Sequence, residues 1–305
     1  MGGNSFNFDK KYLIMVKVLI FYSGGKDSQA CLIWAVKKYG VENCEAVFCD
    51  TGWENPVTYQ HIEETTKQLG VKLVTLKSKK YDGFIDLARK KKRFPSTNAR
   101  FCTVELKLLP GIDYVLSKEQ HLIIIEGIRK NESHARSKME PECMYFRYYY
   151  EPRANGKTDT YRKKEVLEWC KKYDASKFRP IFEWSGEEVI KYIQDNGQHP
   201  NWLYYQGFSR VGCFPCILSR HGEVKRIIDF YPERLTEIRE FEKEINSTIF
   251  PQGYIPAHAK TGKSLNGVSI PTIDDVVTYL SRKNATLDMF EEETPGCMSV
   301  YGLCE

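Results

Sequence analysis

Residues 19–28 read Leu19-Ile20-Phe21-Tyr22-Ser23-Gly24-Gly25-Lys26-Asp27-Ser28, and the fold is decided there. The apolar run from Val18 to Tyr22 has the character of a buried parallel strand. It breaks at Ser23-Gly24-Gly25-Lys26-Asp27-Ser28. A helical pattern follows at once, with Ala30, Leu32, Ile33, Ala35 and Val36 on offer for one buried side. A strand, a glycine turn and a helix start gather free backbone N–H groups and a positive dipole end at one point, where a phosphate binds. The glycines allow positive φ and close approach of the backbone. Lys26 adds a mobile charge, and Ser23 and Ser28 add hydroxyl donors. Neither the Walker spacing nor G-x-G-x-x-G fits this loop. The plain alternative is an ordinary turn between a strand and a helix.

Outward from the loop, the first half alternates strand and helix. Strands are predicted at 17–22, 45–49, 72–76 and 121–126, and helices at 28–39, 56–69, 82–92 and 161–173. That pattern predicts an α/β fold, a parallel sheet with helices on both faces. A ligand then belongs at the carboxyl ends of the strands, beside the glycine loop. Residues 178–184 read as one more short extended segment. Ser185 caps a helix, with Glu188 completing a capping box. After about residue 198, Tyr, Trp, Gly and Cys become dense and strands vanish. Helices are predicted at 219–230, 233–247 and 274–283, with a Pro- and Gly-rich loop at 250–271. The expected organisation is a flexible extension over 1–14, a nucleotide-binding domain over 15–198 and a small, mainly α, cysteine-bearing region over 199–305.

S-G-G-K-D-S resembles the PP-loop of the ATP pyrophosphatases, the adenine nucleotide alpha-hydrolase-like fold. Asp50-Thr51-Gly52-Trp53-Glu54 closes the second strand, where an acid can accept from ribose or an adenine amino group. This D-T-G-x-E stretch resembles the phosphoadenosine phosphosulfate (PAPS) reductase branch of that family. Arg100-Phe101-Cys102 with Lys107 and Pro110 is a further resemblance, and so is Gly127-Ile128-Arg129 with Glu132, Ser133 and Arg136. Arginine forks suit phosphate or sulfate oxygens; a surface ion pair is the other reading of Arg129 and Arg136. The blocks run in order from Ser23 to Cys216, about two thirds of the chain. The resemblance implies that Ser23, Gly24, Gly25, Lys26, Asp27, Ser28, Asp50, Gly127 and Arg129 bind an adenosine nucleotide, ATP or PAPS, and that Lys26 and Arg129 take part in catalysis. Mg²⁺ is implied if ATP is used.

Ten cysteines in 305 residues, in a chain read as cytoplasmic, favour metal or redox chemistry over disulfides. Cys31, Cys44, Cys49 and Cys170 read as small buried residues. Arg210-Val211-Gly212-Cys213-Phe214-Pro215-Cys216 puts a C-x-x-C on a glycine turn, which serves a metal or a redox pair. It resembles family members that carry a [4Fe–4S] cluster. By that pattern Cys102 is the third ligand, and the terminal pair Cys297 and Cys304 offers the fourth, Cys297 being preferred. A zinc site of Cys213, Cys216, Cys297 and Cys304 is the competitor. PAPS reductases are expected to finish E-C-G-[IL]-H, whereas this chain finishes Tyr301-Gly302-Leu303-Cys304-Glu305. Cys304 remains a candidate nucleophile. The departure favours a divergent member, such as one transferring sulfur to nucleic acid with a thiol reductant or sulfur donor as partner.

Forty-five Lys+Arg against 40 Asp+Glu give a net charge of +5, suited to an anionic small substrate and permissive of nucleic acid. Arg89-Lys90-Lys91-Lys92-Arg93 is locally strong, either a solvated helix end or a phosphate contact. No apolar segment approaches the roughly 20 residues that span a bilayer, and no signal pattern opens the chain, so no membrane partner is expected. Two enzyme readings stand, sulfonucleotide reduction and ATP-dependent sulfur transfer. Beside them stands a non-catalytic nucleotide sensor or partner subunit.

Overall fold

The structure, a computed structural model, describes residues 16–264 and 267–282. The extension over 1–14 and both terminal cysteines, Cys297 and Cys304, lie outside the described residues. In chain order the first elements are β1 (Lys17–Phe21), α1 (Lys26–Tyr39), β2 (Cys44–Cys49), α2 (Pro56–Leu69), β3 (Lys72–Leu76) and α3 (Phe84–Lys91). Then come α4 (Phe101–Thr103), α5 (Leu109–Leu116), β4 (Leu122–Ile125), α6 (His134–Ser137), β5 (Glu142–Met144), α7 (Arg147–Tyr150), α8 (Lys163–Cys170) and β6 (Ala175–Phe178). The remainder is α9 (Gly186–Asp195), α10 (Trp202–Tyr205), α11 (His221–Phe230), α12 (Pro232–Ile245), the two-residue strands β7 (Gly262–Lys263) and β8 (Ser269–Ile270), and α13 (Ile273–Arg282).

β1 to β6 form one six-stranded sheet in the order β3-β2-β1-β4-β6-β5. β1 pairs in parallel with β2 (Val18 opposite Cys44) and with β4 (Val18 opposite Ile123). β4 in turn pairs in parallel with β6. β2 and β4 are buried along their whole length, which is why they read as continuous apolar runs rather than alternating ones. The chain leaves β1 toward β2 on one side and later returns to β4 on the other. Such a reversal opens a crevice beyond the carboxyl ends of β1 and β4. The fold is the expected α/β class, a mostly parallel sheet with helices packed around it.

Three details differ from the sequence pattern. β5 is antiparallel to β6 and forms an edge that was not expected. The strand expected at 178–184 instead ends at Phe178, and Phe182 and Trp184 N–H groups turn back to the Arg179 and Ile181 carbonyls. Residues 101–116 are helical almost throughout, with a wider π turn over Val104–Leu108. That turn comes just before Pro110, whose ring would meet the carbonyl four residues back in a regular helix.

The contacts divide the chain into two compact units. The first runs through Phe48, then takes Ile62–Thr75 and Ile112–Pro200. The second takes Cys49–His61, Leu76–Gly111 and the residues from Asn201 onward. Its core joins Trp53, Phe84 and Leu106 to Phe208, Ile227 and Val276, all under 5% exposed. No helix among the described residues is long and apolar enough to cross a membrane.

Candidate functional site

In the first unit, β1 delivers the chain into the glycine loop and α1 leaves it. Gly24 has φ +83°, a conformation that a residue with a Cβ adopts only under strain. Gly25 occupies the N-cap of the 14-residue α1, and no side chain caps that helix. The loop is braced from within. Ser28 Oγ donates to the Gly25 carbonyl at 3.0 Å and receives the Ser23 N–H at 3.3 Å. An uncapped helix start with a positive dipole end is a place for an anion. Lys26 stands beside it, its Nζ 3.4 Å from Asp27 Oδ2.

Asp27 and Arg129 meet in a buried ion pair. Arg129 Nε donates to Asp27 Oδ1 at 2.7 Å, and its Nη2 lies 3.4 Å from Oδ2. Asp27 is 1% exposed and Arg129 9%. The loop aspartate thus acts as the counter-charge of the arginine, a role the sequence pattern did not single out. Arg129 N–H donates to Glu132 Oε2 at 2.8 Å, and Glu132 in turn pairs with the buried Arg136. Gly127 explains how these parts fit: a Cβ there would lie 2.6 Å from the Ser28 backbone nitrogen and 2.7 Å from the Asp27 carbonyl carbon. Only glycine lets the segment after β4 lie against the start of α1.

Beneath Gly127 is a group that the motif reading passed over. Glu126 is fully buried and pairs with Lys177 at 3.1 Å and Arg179 at 3.0 Å, both nearly buried themselves. Two cations thus flank one carboxylate at the end of β4. The sequence signal was an acid closing an apolar strand, Ile123-Ile124-Ile125-Glu126. Two cations at alternate positions of the next strand region, Lys177 and Arg179, completed it.

The second unit holds Asp50, Glu54 and the cysteine motifs. Asp50 Oδ1 accepts from the Gly52 N–H at 2.8 Å and the Tyr59 hydroxyl at 2.6 Å, and Lys77 Nζ lies 3.2 Å from Oδ2. Glu54 accepts from the Thr51 hydroxyl at 2.7 Å and from Tyr59 at 2.9 Å. Burial and these two carboxylates drive the Tyr59 hydroxyl pKa far upward, so it stays a donor. Asp50-Thr51-Gly52-Trp53-Glu54 is therefore a self-bonded acidic turn. It also meets the C-x-x-C directly. Glu54 forms a β-bridge with Cys213, the Phe214 N–H donates to the Trp53 carbonyl, and Trp53 Nε1 donates to the Pro215 carbonyl.

Cys102, Cys213 and Cys216 line one cavity of about 40 Å³, together with Thr51, Arg100 and Lys107. The three cysteines expected to act together are thus neighbours. Burial pushes the Cys213 thiol up to about 12 against the opposing pull of Lys107, and Cys49 is pushed up to about 12 in the same way. Neither is a thiolate at neutral pH. Among the described residues no group of three His, Cys, Asp or Glu side chains is arranged to hold a metal ion. A closed site needs four ligands, so the described cysteines do not make one by themselves.

Residues 17–219 match the family described as the phosphoadenosine phosphosulfate reductase domain. An uncharacterised 37.8 kDa protein of Escherichia phage 186 is 28% identical, the match covering 94% of this chain and 96% of the phage protein. An uncharacterised protein of Methanocaldococcus jannaschii is 30% identical over 75% of this chain and 49% of its own length, so the chain spans about half of it. A solved structure of PAPS reductase from Candida auris is 18% identical, with a TM-score of 0.45 over 65% of this chain and 81% of that one. With the family match spanning the glycine loop, the acidic turn, the Gly127–Arg129 segment and the C-x-x-C, the chain belongs to the phosphoadenosine phosphosulfate reductase family.

Proposed function

We propose that this chain is an enzyme acting on an adenosine nucleotide, ATP or PAPS, with Ser23 to Ser28 receiving the anionic end. The observation that carries this reading is the uncapped start of α1 behind a glycine turn, with Lys26 beside it. Arg129, fixed by Asp27, is the second cation assigned to the anionic group. Asp50 is assigned to the nucleoside, its carboxylate held in place by Gly52 and Tyr59. Gly127 contributes by letting the arginine segment approach the loop.

Two reactions fit. In sulfonucleotide reduction, a cysteine thiolate attacks the sulfonyl sulfur and the nucleotide phosphate leaves. A thiol reductant then attacks the Sγ of that cysteine, forming a disulfide with it and releasing sulfite. In sulfur transfer, an acceptor oxygen attacks the α-phosphorus of ATP and pyrophosphate leaves, with Mg²⁺ offsetting charge. The outer sulfur of a cysteine persulfide, loaded by a sulfur donor, then displaces AMP, and a thiol reductant cleaves the S–S bond left between acceptor and cysteine. Nucleic acid is the proposed acceptor, and the cytoplasm, which keeps thiols reduced, is the proposed setting. The high pKa of Cys213 argues against it as the attacking thiol. That leaves Cys102, Cys216 and the terminal Cys304 as candidates.

A cluster or zinc at Cys102, Cys213 and Cys216 would need a fourth ligand, for which Cys297 is the candidate. Visible absorption and metal analysis of protein prepared without oxygen test this. Iron with a brown colour supports a cluster, and zinc without iron supports the competitor. Metal-free protein with titratable thiols excludes both. The reaction itself is tested by incubation with each nucleotide. Pyrophosphate from ATP supports transfer and sulfite from PAPS supports reduction, whereas binding without turnover of either would make the chain a sensor or partner subunit. No binding of any adenosine nucleotide would overturn the reading.

A further inference from the structure

Residues 77–100 carry nine Lys or Arg against two Asp, a local excess larger than the net charge of the whole chain. The last turn of α3 accounts for part of it. Cations at a helix C-terminus are favourable, which suffices for Arg89, Lys90 and Lys91. Arg89 and Lys90 also have carboxylate partners, Glu244 at 2.6 Å and Asp86 at 2.7 Å. Lys92 and Arg93 lie beyond the helix, with Lys92 in the left-handed region at φ +53°. Among the described residues no carboxylate pairs with Lys91, Lys92 or Arg93, and all three are exposed. Helix capping therefore leaves Lys92 and Arg93 unexplained, next to an exposed Lys91 that it accounts for.

Two half-buried aromatic rings, packed on one side against the second core, stand beside this row. Lys90 and Lys91 lie 5.4 and 6.0 Å from the centre of the Tyr81 ring, and Arg93 lies 5.4 Å from that of Phe101. Phe101 stands between Arg100 and Cys102, both of which line the cysteine cavity. The row thus leads from the end of α3 to the residues around that cavity, all within the second unit.

We propose that Lys91, Lys92 and Arg93 form a track for single-stranded nucleic acid that leads to the cysteine-lined cavity. Cations interleaved with aromatic rings are what a single strand uses, phosphates meeting the charges and bases meeting ring faces. An acidic peptide would use the charges and leave the rings idle. The stretch exposes no large aliphatic side chain that would enter a lipid surface. The inference deepens the acceptor side of the sulfur-transfer reading, and it does not depend on the glycine loop.

The test is fluorescence anisotropy of the full chain with fluorescein-labelled oligo-dT and oligo-rU of about 20 nucleotides, titrated between about 50 and 200 mM KCl. Binding is expected to weaken steeply with salt. In Lys91→Gln/Lys92→Gln/Arg93→Gln the affinity should fall about tenfold or more. The log–log salt slope should shrink by about 2, because each single-strand phosphate contact contributes about 0.7. Lys91→Gln/Lys92→Gln leaves Arg93 on the Phe101 ring and should show an intermediate loss, which guards against a folding defect in the triple variant. Adenosine-nucleotide affinity should be unchanged in both variants; its loss in wild type would instead indict the loop assignment. Failure of wild type to bind either oligonucleotide at low salt overturns the track. So does an unchanged salt slope in the triple variant, or competition by polyglutamate as effective as by oligonucleotide.

Discussion

At the scale of single residues, Asp27 is the most informative. The motif reading places it among nucleotide contacts, and its carboxylate is spent on Arg129. Removing one partner of a buried ion pair typically costs about 3–5 kcal/mol, because the other charge stays buried alone. Asp27→Ala should therefore lower unfolding stability by about that amount in a denaturant titration, whereas Lys26→Ala should leave stability near wild type. Lys26→Ala should instead weaken adenosine-nucleotide binding by about 1.5–3 kcal/mol, the cost of one charge-assisted contact. Equal stability losses in the two variants would contradict the separation of roles. Gly127→Ala places a methyl against the Ser28 and Asp27 backbone, and overpacking of that kind costs about 1–3 kcal/mol. It should weaken nucleotide affinity together with stability, measured by calorimetric titration and thermal melting. The types and positions of these residues were legible because a strand, a glycine turn and a helix start leave a local imprint. The partners were not. Asp27 and Arg129 are 102 residues apart in the chain, and nothing local announces that they pair. Asp50 shows the same limit, its bonds to Gly52 and Tyr59 being invisible to a motif.

At the scale of elements, long apolar strands and amphipathic helices were readable; short or interrupted ones were not. β1, β2 and β4 fall where the pattern puts them, because burial on both faces dictates their composition; the more exposed β3 and the one-sided α2 also fall where expected. β5 has three residues, two of them exposed, and β6 carries Lys177, so neither shows an apolar run. The helical stretch at 101–116 was hidden by Pro110 and Gly111, which usually mark an end.

The junction of α12 and α13 carries a pH-dependent element. Glu242 is buried and accepts from the Ile273 and Ile249 N–H groups at 2.8 and 3.2 Å and from the Thr248 hydroxyl at 2.8 Å. Burial outweighs those donors, and Asp274 adds to it, raising the carboxyl pKa to about 7. The folded value exceeds the unfolded one, so protonation favours the fold. The contribution is full below about pH 4.5 and is lost as pH rises toward about 7. Glu45 works in the opposite sense and in a lower window. Burial alone would raise its pKa, but bonds from Tyr114, Lys118 and Lys72 hold it at about 2. Its contribution is present above about 4.5 and lost as pH falls. Of the two, only Glu242 acts between about pH 5 and 7, where stability should decline by about 2–3 kcal/mol as pH rises. Glu242→Gln should flatten that decline in urea titrations at the two pH values. A slope unchanged by the substitution would assign the effect elsewhere.

At the scale of the whole chain, the second unit takes the residues from Asn201 onward. The same unit draws on two earlier segments whose apolar residues read as ordinary parts of the α/β pattern. Composition cannot show which core a buried residue joins. A fragment starting at Asn201 would lack Trp53, Phe84, Leu87, Phe94 and Leu106 from its core. Such a fragment is expected to show no cooperative thermal transition by circular dichroism, whereas the full chain should. A cooperative melt of the fragment would mean that the later residues suffice for a core of their own.

This interleaving has a consequence for the nascent chain. Leu106 leaves the ribosome about a hundred residues before Leu203, another member of the same core. At typical elongation rates of about 5–20 residues per second, roughly 5–20 s pass between them. For that interval Trp53, Phe84 and Phe94 have no completed core to enter. Translation paused in that window should yield a chain that holdase chaperones retain, and release should follow emergence of the segment after Asn201.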